Sequence, residues 1–264
     1  MRKINHLILF LLMFGVLFSE VNIGFWNVLH LGWDQGKYPK DYNQIAETIS
    51  VFDLVGLVEV MNEDGLIKLT NELELITNEN WDYLISKEKY GRSTYKEYYA
   101  YVYRKDKICV LLDFEHYDDL NDDFIREPYG VMFSSGNFDF VLVLYHSVFG
   151  KNKSERRYEA SRLDDVYLYF KEIAGVEKDI IFAGDFNLHL SDKSVDITNI
   201  DGFNYLIEKS YNTTSSNSYD NFLVSQYSIQ ELEGFGVFDV VGLRHNVSDH
   251  YLIYASFNTD FDDD

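Results

Sequence analysis

The sequence predicts an α/β (α+β) fold, a four-layered α/β/β/α sandwich in which helices flank two packed mixed β-sheets. Two observations favour this class: short apolar runs typical of strands are numerous, and few stretches with helical periodicity separate them. Aromatic residues make up 17% of the 264-residue chain, which supplies ample material for a large core. Internal repeats and low-complexity linkers are absent from the sequence, so we expect residues 20–264 to form a single domain.

Strands and helices alternate in the first half of the predicted fold. Apolar residues recur at helical spacing, three or four residues apart, in Tyr42–Phe52 and in Gly65–Ile76. The predicted strands of this half are Val21–Leu29, Asp53–Val60, Trp81–Ser86, Tyr98–Tyr103, Ile108–Phe114 and Arg126–Phe133.

The second half is predicted to contain the longest helix and the strands around it. Glu155–Ile173 has one apolar face, Ser154 is its candidate N-cap, and Gly175 would end it. The predicted strands of this half are Phe138–Tyr145, Ile180–Ala183, Asn221–Val224, a segment near Phe238–Val241, and Tyr251–Phe257. We expect a less regular region up to Ser218 and a solvated terminus at the acidic end of the chain, residues 260–264 (DFDDD).

The formal net charge of −21 argues against a protein whose affinity for nucleic acid comes from basic residues, because Lys and Arg normally neutralise the phosphates. The same charge favours solubility and cation binding, so an enzyme acting on a polyanion would need metal ions and local basic patches. Cys109 is the only cysteine of the sequence, which excludes an intramolecular disulfide.

The N-terminus has the pattern of a secretory signal peptide. Arg2 and Lys3 precede an apolar run from Leu7 to Phe18, and Ser19 is a small residue at its end. The run is shorter than the roughly 20 residues that a membrane-spanning helix needs. We therefore expect residues 1–19 to direct export, which makes the protein secreted or cell-surface. An uncleaved anchor and a first buried helix or strand are the alternatives.

The segment Ile180–His189 (IIFAGDFNLH) is the first candidate for chemistry. Its apolar run ends at Gly184, and Asp185 and Asn187 follow with only Phe186 between them. Residues i and i+2 of an extended chain lie on the same side, so a carboxylate and a carboxamide should project together from a strand end. An anionic acceptor beside a neutral donor suits the handling of a water molecule and a phosphate. An ordinary polar loop after a strand is the structural alternative.

Other predicted strands also end in polar side chains. If these strands share a sheet, their ends meet at one rim, where carboxylates would supply the oxygen ligands that Mg²⁺ takes. The histidines could polarise a phosphoryl oxygen or donate a proton, and an aspartate could orient the attacking water. Taken singly, each residue also fits an ordinary loop or a surface charge. The residues concerned are Asn27, Glu59, His146, Asp185 with Asn187, and Asp249 with His250.

The order of several short segments resembles the deoxyribonuclease I family of the endonuclease/exonuclease/phosphatase superfamily. The segments are GRSTYKEYYAYVYRKDKICVL, YDD, FIREP, LYHS, DDVYLYF, GDFN, SYDNFLV and SDHY, and they span most of Val21–Phe257. Their combination is specific, whereas GDFN or SDH alone would be much less so. The resemblance implies a divalent-metal-dependent endonuclease. Water would attack a phosphodiester bond of DNA, one histidine would assist the leaving 3′ oxygen, and the products would carry 5′-phosphate ends.

Carried over position by position, the resemblance also implies the members of the site. Glu97 would pair with His146. Asp249 would pair with His250 or assist the metal. The implied catalytic residues are Glu97, His146, Asp185, Asn187, Asp220, Asp249 and His250. The implied ligands of Mg²⁺ (or Mn²⁺) are Asn27, Glu59 and Asp249, and the implied DNA-binding residues are Arg92, Tyr95, Arg126 and Tyr219.

Calcium is the second cation that the resemblance implies. The family's acidic calcium loop has a counterpart at Asp119, Asp122 and Glu127, so a structural Ca²⁺ site there is a further expectation. The family's second calcium loop matches poorly around Tyr211–Ser215 and is not predicted.

Three departures from the family pattern bear on the substrate. Cys109 alone cannot replace the disulfides of the family enzyme. Leu29 and Met61 stand where the family places arginines that enter the minor groove, which weakens the expected grip on duplex DNA. The chain is also more acidic than the chemistry suggests. Two basic clusters could relieve this locally: Lys87, Lys89, Arg92 and Lys96, and Lys151, Lys153, Arg156 and Arg157.

The predicted substrate is therefore DNA, and we expect a monomer with no stable protein partner and no membrane contact beyond the N-terminal signal. A same-fold phosphodiesterase acting on a lipid head group, as a sphingomyelinase does, is the alternative that the missing arginines favour. The TYKE and REP segments argue against it. A non-catalytic binding module is the third possibility. It would have lost at least one catalytic position, and all of them are present.

Overall fold

The computed structural model describes residues 19–35, 38–93, 95–195, 202–240, 242–260 and 262. Residues 1–18 of the predicted signal peptide lie outside this part of the chain, as do residues 261, 263 and 264 of the acidic tail. Among the described residues, no helix combines the length and the apolar character that crossing a membrane requires.

The described residues form twelve strands and five helices. In chain order these are β1 (Glu20–Leu31), α1 (Tyr42–Ile49), β2 (Leu54–Val60), α2 (Glu63–Thr77), β3 (Trp81–Ile85), β4 (Tyr98–Arg104), β5 (Cys109–His116), β6 (Tyr129–Ser135), β7 (Phe138–His146), α3 (Lys153–Ala160), α4 (Leu163–Ala174), β8 (Ile180–Asp185), β9 (Asn204–Tyr205), β10 (Asp220–Val224), α5 (Ser228–Glu231), β11 (Leu232–Phe238) and β12 (Leu252–Asn258).

The strands form two six-stranded mixed sheets with the orders β11-β12-β1-β2-β4-β3 and β5-β6-β7-β8-β10-β9. Each sheet contains one parallel pair, β1 with β2 and β7 with β8, and its other pairs are antiparallel. A parallel connection needs a crossover, and helices supply it: α1 lies between β1 and β2, and α3 and α4 lie between β7 and β8.

The two sheets pack face to face over an apolar core, and helices cover their outer faces. Along β1, Ile23 and Phe25 face the core between the sheets, whereas Trp26 and Val28 face the layer of α1 and α2. This alternation is the period-2 pattern of a strand buried on both sides. On the opposite face of the molecule, α4 packs against the second sheet. The predicted α/β/β/α sandwich is confirmed.

One predicted helix is divided in the structure. Glu155–Ile173 is covered by α3 and α4, and Asn152 rather than Ser154 caps α3. The first of these helices is anchored by the buried carboxylate of Glu159, which accepts hydrogen bonds from the hydroxyl of Tyr145 and from other groups of the same region. Apolar periodicity does not reveal a polar anchor of this kind, so the sequence did not predict the division between α3 and α4.

The strand near the C-terminus also differs from its prediction. A segment near Phe238–Val241 was expected, but β11 spans Leu232–Phe238 and residue 241 lies outside the described part of the chain. Two glycines, Gly234 and Gly236, interrupt the apolar pattern of β11, which lies at the edge of its sheet. Glycine weakens the sequence signal of a strand, which accounts for the shifted boundary.

Candidate active site

Three adjacent strands of the second sheet place polar side chains in one row. His146 of β7 is the register partner of Asp185 in β8, and Asp185 is the partner of Asp220 in β10. Residues directly opposite each other in a sheet project to the same face, so one imidazole and two carboxylates stand side by side. All three residues are buried. This row is the floor of the candidate site.

The first sheet contributes Asn27 and Glu59 from irregular ends of β1 and β2. The pairing of β1 with β2 shifts between Asn27 and Leu31, and the backbone of Leu29, His30 and Glu59 has positive φ. Bulges of this kind redirect side chains, and strained non-glycine backbone often marks a functional site. The amide of Asn27 donates to Glu59 Oε1 at 3.1 Å and to Asp185 Oδ2 at 3.2 Å. Asn27 therefore joins the polar ends of both sheets.

His146 forms a buried pair with Glu97, as predicted. Nδ1 of His146 lies 2.5 Å from Glu97 Oε1, and Nε of Arg126 lies 3.3 Å from the other oxygen of Glu97. Burial alone would raise the pKa of Glu97, but His146 and Arg126 outweigh it and lower the pKa below its usual value. The pKa of His146 is raised, because the Glu97 carboxylate outweighs burial and the charge of Arg126.

His250 pairs with Asp220, and this corrects the predicted pairing with Asp249. Nδ1 of His250 lies 2.8 and 3.0 Å from the two carboxylate oxygens of Asp220. Both oxygens of Asp220 lie within hydrogen-bond distance of Nδ1, so Asp249, which also lines the cleft, is not the partner of this ring nitrogen. Burial would lower the pKa of His250, but Asp220 and Asp185 raise it to about 10. Burial raises the pKa of Asp220 above its usual value, although the His250 imidazolium opposes this.

The two imidazoles meet at Asp185. Nε2 of His146 lies 3.7 Å and Nε2 of His250 lies 3.6 Å from the same oxygen, Asp185 Oδ2. Burial would raise the pKa of Asp185, but the two histidines lower it, so this carboxyl group is ionised near neutral pH. Two imidazoles, each held at Nδ1 by its own carboxylate, thus face one central carboxylate through Nε2.

Asn187 reaches the site through a turn rather than by strand alternation. The strand ends at Asp185, whose Oδ1 accepts a hydrogen bond from the backbone N–H of Asn187 at 2.9 Å, and Asn187 has a φ of 48°. The Asn187 amide donates to the carbonyl of Ser147 at 3.0 Å. Phe186 turns away and packs on Tyr145 with ring centroids 5.3 Å apart. Asp185 and Asn187 both line the cleft, on the same side as predicted, although a turn rather than strand alternation places Asn187 there.

The row opens into a cleft of about 680 Å³. Of the four predicted DNA-binding residues, Tyr95, Arg126 and Tyr219 line this cleft, whereas Arg92 lies outside it and contacts Asp122. Arg126 is 9% exposed and donates from Nη1 to the carbonyls of His146 and Ser147, each at 3.2 Å. The cleft is lined by Asn27, Glu59, Tyr95, Arg126, His146, Phe149, Asp185, Asn187, Thr214, Ser215, Tyr219, Leu243, Arg244, His245, Asp249 and His250.

Several cleft residues were missed by the sequence reasoning: Phe149 follows β7, and the others lie in the loops before β10 and before β12. Thr213 and Thr214 lie in the segment before β10: the Thr213 hydroxyl accepts from the N–H of Asp220 at 3.0 Å, and Thr214 forms a bridge with His250. Arg244 and His245 lie in the turn that precedes β12. Neither loop has a periodic pattern. The sequence signal that could have found the second loop was the basic pair Arg244 and His245, two residues before the SDHY segment.

The three carboxyl groups of the predicted calcium loop do not converge. One oxygen of Asp119 accepts from the N–H of Phe124 at 2.8 Å, and Asp122 contacts Arg92 at 3.3 Å. Among the described residues, Asp119, Asp122 and Glu127 do not form a cluster whose ligand atoms lie within 4.8 Å of one another. The calcium site stays a prediction that this geometry does not support.

One of the groups of donors that could hold a divalent metal lies at the polar row. Ligand atoms of Asp185, Asp220 and His250 lie within 4.8 Å of one another. At the other side of the cleft, Oε2 of Glu59 is buried and has no hydrogen-bond partner among the described residues, and Nε2 of His30 lies 3.2 Å from it. Carboxylate oxygens are the ligands that Mg²⁺ and Mn²⁺ favour.

Comparisons with known proteins agree with this geometry. A family model described as the Endonuclease/Exonuclease/phosphatase family matches residues 24–250. The chain is 28% identical to a deoxyribonuclease of Thioalkalivibrio sp. (strain K90mix) over 188 residues, which cover 69% of this chain and 50% of that one. It is 36% identical to deoxyribonuclease-1 of Rattus norvegicus over 157 residues, 53% of each chain. The matches therefore span about half the length of these two relatives.

A longer match joins the chain to deoxyribonuclease-1-like 2 of Mus musculus, which is 28% identical over 266 residues covering 91% of this chain and 93% of that one. Among solved structures, an endonuclease/exonuclease/phosphatase family protein of Bacteroides thetaiotaomicron gives a TM-score of 0.65 at 17% identity, covering 93% of this chain and all of that one. A mannosyl-6-phosphatase of the same organism gives 0.63 at 17% identity, covering 89% and 98%. The structural matches show a shared fold alone. The chain belongs to the Endonuclease/Exonuclease/phosphatase family and is one of its deoxyribonuclease I-like members.

Proposed function

We propose that this protein is a divalent-metal-dependent endonuclease that hydrolyses phosphodiester bonds of DNA and leaves 5′-phosphate ends. One observation carries the proposal: Nε2 atoms of two carboxylate-supported histidines, His146 and His250, lie 3.7 and 3.6 Å from one oxygen of Asp185. A phosphate placed there would meet two proton donors and one acceptor. The similarity to relatives named deoxyribonucleases supports DNA as the substrate class.

The histidines are arranged to donate protons. In each ring Nδ1 faces a buried carboxylate, which leaves Nε2 directed at the cleft and favours the protonated imidazole. One histidine then protonates the leaving 3′ oxygen, and the other hydrogen-bonds a non-bridging phosphate oxygen. This is general acid catalysis by groups whose orientation is fixed before substrate arrives.

Asp185 and Asn187 are placed to handle the attacking water. The ionised carboxylate of Asp185 accepts a hydrogen bond from the water and orients its lone pair toward phosphorus. The Asn187 amide nitrogen is held by the carbonyl of Ser147, which keeps the turn beside Asp185 closed. The buried Arg126 guanidinium lies behind His146 and offsets part of the negative charge of the site.

Mg²⁺ or Mn²⁺ fits the acidic end of the cleft, where Glu59, Asn27 and Asp249 would hold it. The fit rests on the carboxylate of Glu59: its buried Oε2 accepts no hydrogen bond among the described residues, and its ion-pair neighbour His30, with Nε2 at 3.2 Å, is charged only when protonated, so this oxygen is suited to a cation. When bound, the ion would supply Lewis-acid stabilisation of the charge that develops on the phosphate. Asn27 steadies the Glu59 carboxylate through its amide at 3.1 Å.

Export and independent action complete the proposal. The basic start and the apolar run of residues 2–18 support a secreted or cell-surface enzyme. The catalytic groups described above all come from one chain, which supports activity as a monomer. A calcium ion is not part of this proposal.

The test is nicking of supercoiled plasmid by the full chain with Mg²⁺ and with EDTA, beside a sphingomyelin hydrolysis assay. We expect EDTA-sensitive nicking that falls by at least about 10²-fold in His146→Ala and in His250→Ala, the scale of a lost acid–base group. His116→Ala is the matched control, because this exposed histidine lies on β5 outside the cleft. Near-normal nicking by either active-site variant would contradict the assigned roles.

The lipid head-group alternative is favoured by one observation. The cleft has only Arg126 and Arg244 as permanent cations among its described lining residues, which is few for a polyanionic substrate. Hydrolysis of sphingomyelin without nicking of DNA would indicate a phosphodiesterase that acts on a lipid head group. Silence in both assays would support a non-catalytic binding module.

A further inference from the structure

A group of exposed aromatic rings lies beside the catalytic cleft, and the proposed mechanism does not use it. At the bulged end of β1, the rings of His30 and Trp33 are in contact, with centroids 4.5 Å apart and an interplanar angle of 34°, and Trp33 is 51% exposed. Nearby, Tyr38 stacks on His245 at 5.3 Å with an interplanar angle of 23°. We call these four residues the aromatic shelf. They line a separate hollow of about 290 Å³.

The aromatic shelf is continuous with the catalytic cleft. His245 lines both cavities, and Nε2 of His30 lies 3.2 Å from the Glu59 carboxylate. Tyr95, a cleft residue, contacts the shelf edge-on, with its ring centroid 5.6 Å from that of His30 and 6.4 Å from that of Trp33. A group bound on the shelf would therefore lie next to a phosphate bound in the cleft.

The cations around the two cavities are engaged with protein oxygens. Among the described lining residues these cations are Lys40, Arg126 and Arg244. Lys40 Nζ donates to two carbonyls, at 2.8 and 2.6 Å, and Arg244 Nη1 donates to the side chain of Gln44 at 3.0 Å. Arg126 is buried against Glu97. With a net charge of −21 over the whole chain, tight backbone binding by counterion release is not the expected source of affinity.

We propose that the aromatic shelf stacks an unpaired nucleobase next to the scissile phosphate, so that single-stranded DNA is preferred to intact duplex. This inference rests on the proposed nuclease function and specifies its substrate. Ring faces of bases are available for stacking on protein only where the base is unpaired and unstacked, and aromatic platforms of this type accept any base. Stacking is largely insensitive to the charge of the protein, so it suits an acidic chain.

The experiment is binding of labelled oligonucleotides to the full chain in EDTA, which separates binding from cleavage. The probes are a short oligo(dT), an abasic strand of equal length and charge, and a duplex, each followed by fluorescence anisotropy. The variants are Trp33→Ala and Trp33→Phe, which keeps a ring. Phe235→Ala is the matched control, since Phe235 is 48% exposed on β11 and lies outside both cavities.

We expect wild-type protein to bind oligo(dT) more tightly than the abasic strand or the duplex. Trp33→Ala should weaken oligo(dT) binding by about 10-fold, the scale for one stacked base, and leave the abasic strand unchanged. Trp33→Phe should recover most of the affinity, and Phe235→Ala should match wild type. Equal losses for oligo(dT) and the abasic strand, or no loss for either, would overturn the inference.

The outcomes separate this inference from the proposed function. If the protein cleaves DNA with Mg²⁺ but binds oligo(dT) independently of Trp33, the nuclease function is supported and the base-stacking role of the shelf is refuted. Trp33-dependent binding of oligo(dT) without any cleavage would refute the nuclease and retain the shelf. A lipid surface is the competing occupant of exposed aromatic rings. Trp33-dependent binding to sphingomyelin vesicles, with no preference for oligo(dT) over the abasic strand, would therefore overturn the shelf as a base-stacking site.

Discussion

Glu97→Gln is the substitution with the largest expected effect on both stability and activity. The wild-type carboxylate is fully buried, 2.5 Å from His146 Nδ1 and 3.3 Å from Nε of the buried Arg126. Gln keeps the shape but leaves the guanidinium without its counter-charge. Breaking a buried ion pair costs roughly 3–5 kcal/mol. Because Arg126 retains two carbonyl acceptors, we expect a loss of about 3 kcal/mol, near the lower limit of that range.

That loss should lower Tm by about 6–12 °C, since 1 kcal/mol corresponds to roughly 2–4 °C in a chain of this size. Nicking activity should fall by at least about 10²-fold, because His146 loses the carboxylate that orients and charges it. Both quantities are measured on the full chain, the Tm in EDTA by differential scanning fluorimetry. Glu74→Gln, on the exposed face of α2, is the control and should change neither.

The same substitution carries a pH signature. The folded-state pKa of Glu97 lies below its unfolded value of about 4.3, so the pair contributes its full stability above that pH and loses it as the pH falls through the folded-state pKa. The Tm gap between wild type and Glu97→Gln should thus be full at pH 7 and narrow below about pH 4. A gap under about 2 °C at pH 7, or one that widens in acid, would refute the buried-pair account.

Two further predictions concern side chains that hold the site together. Asp220→Asn should lower the pKa of His250 far more than Asp249→Asn does, because Asp220 accepts the hydrogen bond from Nδ1. The measurement is an NMR titration without metal, and equal shifts in the two variants would favour the Asp249 pairing predicted from the sequence. Lys40→Met should lower stability by about 1–3 kcal/mol in thermal denaturation, because it leaves two carbonyls without their donor; an unchanged Tm would mean that this contact contributes nothing.

The features that the sequence reveals well are those that depend on periodicity and on strand ends. Most strands were predicted within a few residues, since a sheet buried on both faces needs long apolar runs such as Ile180–Ala183 and Phe138–Tyr145. The polar residues after those runs, His146 and Asp185, meet because β7 and β8 are parallel neighbours in register. The expected rim, however, spans two sheets rather than one.

The parts that the sequence hid depend on tertiary contacts. The pairing of His250 with Asp220 joins residues 30 positions apart, one just before β12 of the first sheet and one at the start of β10 of the second, and no local pattern encodes this contact. Asn187 enters the cleft through a turn in which its own φ is positive. Strand alternation predicted the correct side for this residue, although the turn is what places it there. The sequence contains the aromatic residues of the shelf, but it does not show that Tyr38 and His245, from distant loops, come into contact.

Substrate choice lies at the edges of the cleft rather than in the fold. The same sandwich accommodates a protein named as a mannosyl-6-phosphatase, at 17% identity to this chain. On the proposed function, the polar row would provide the phosphate chemistry, and the surrounding loops would decide which molecule carries the phosphate. In this chain the surrounding loops supply aromatic rings and few available cations.

The most direct test of the central claim is cleavage of an end-labelled DNA strand by the full chain with Mg²⁺, with analysis of the product ends. We expect EDTA-sensitive cleavage that yields 5′-phosphate ends and falls by at least about 10²-fold in both His146→Ala and His250→Ala. Cleavage that persists in either variant, or products with 3′-phosphate ends, would contradict the assignment of two histidines around Asp185 as the catalytic centre.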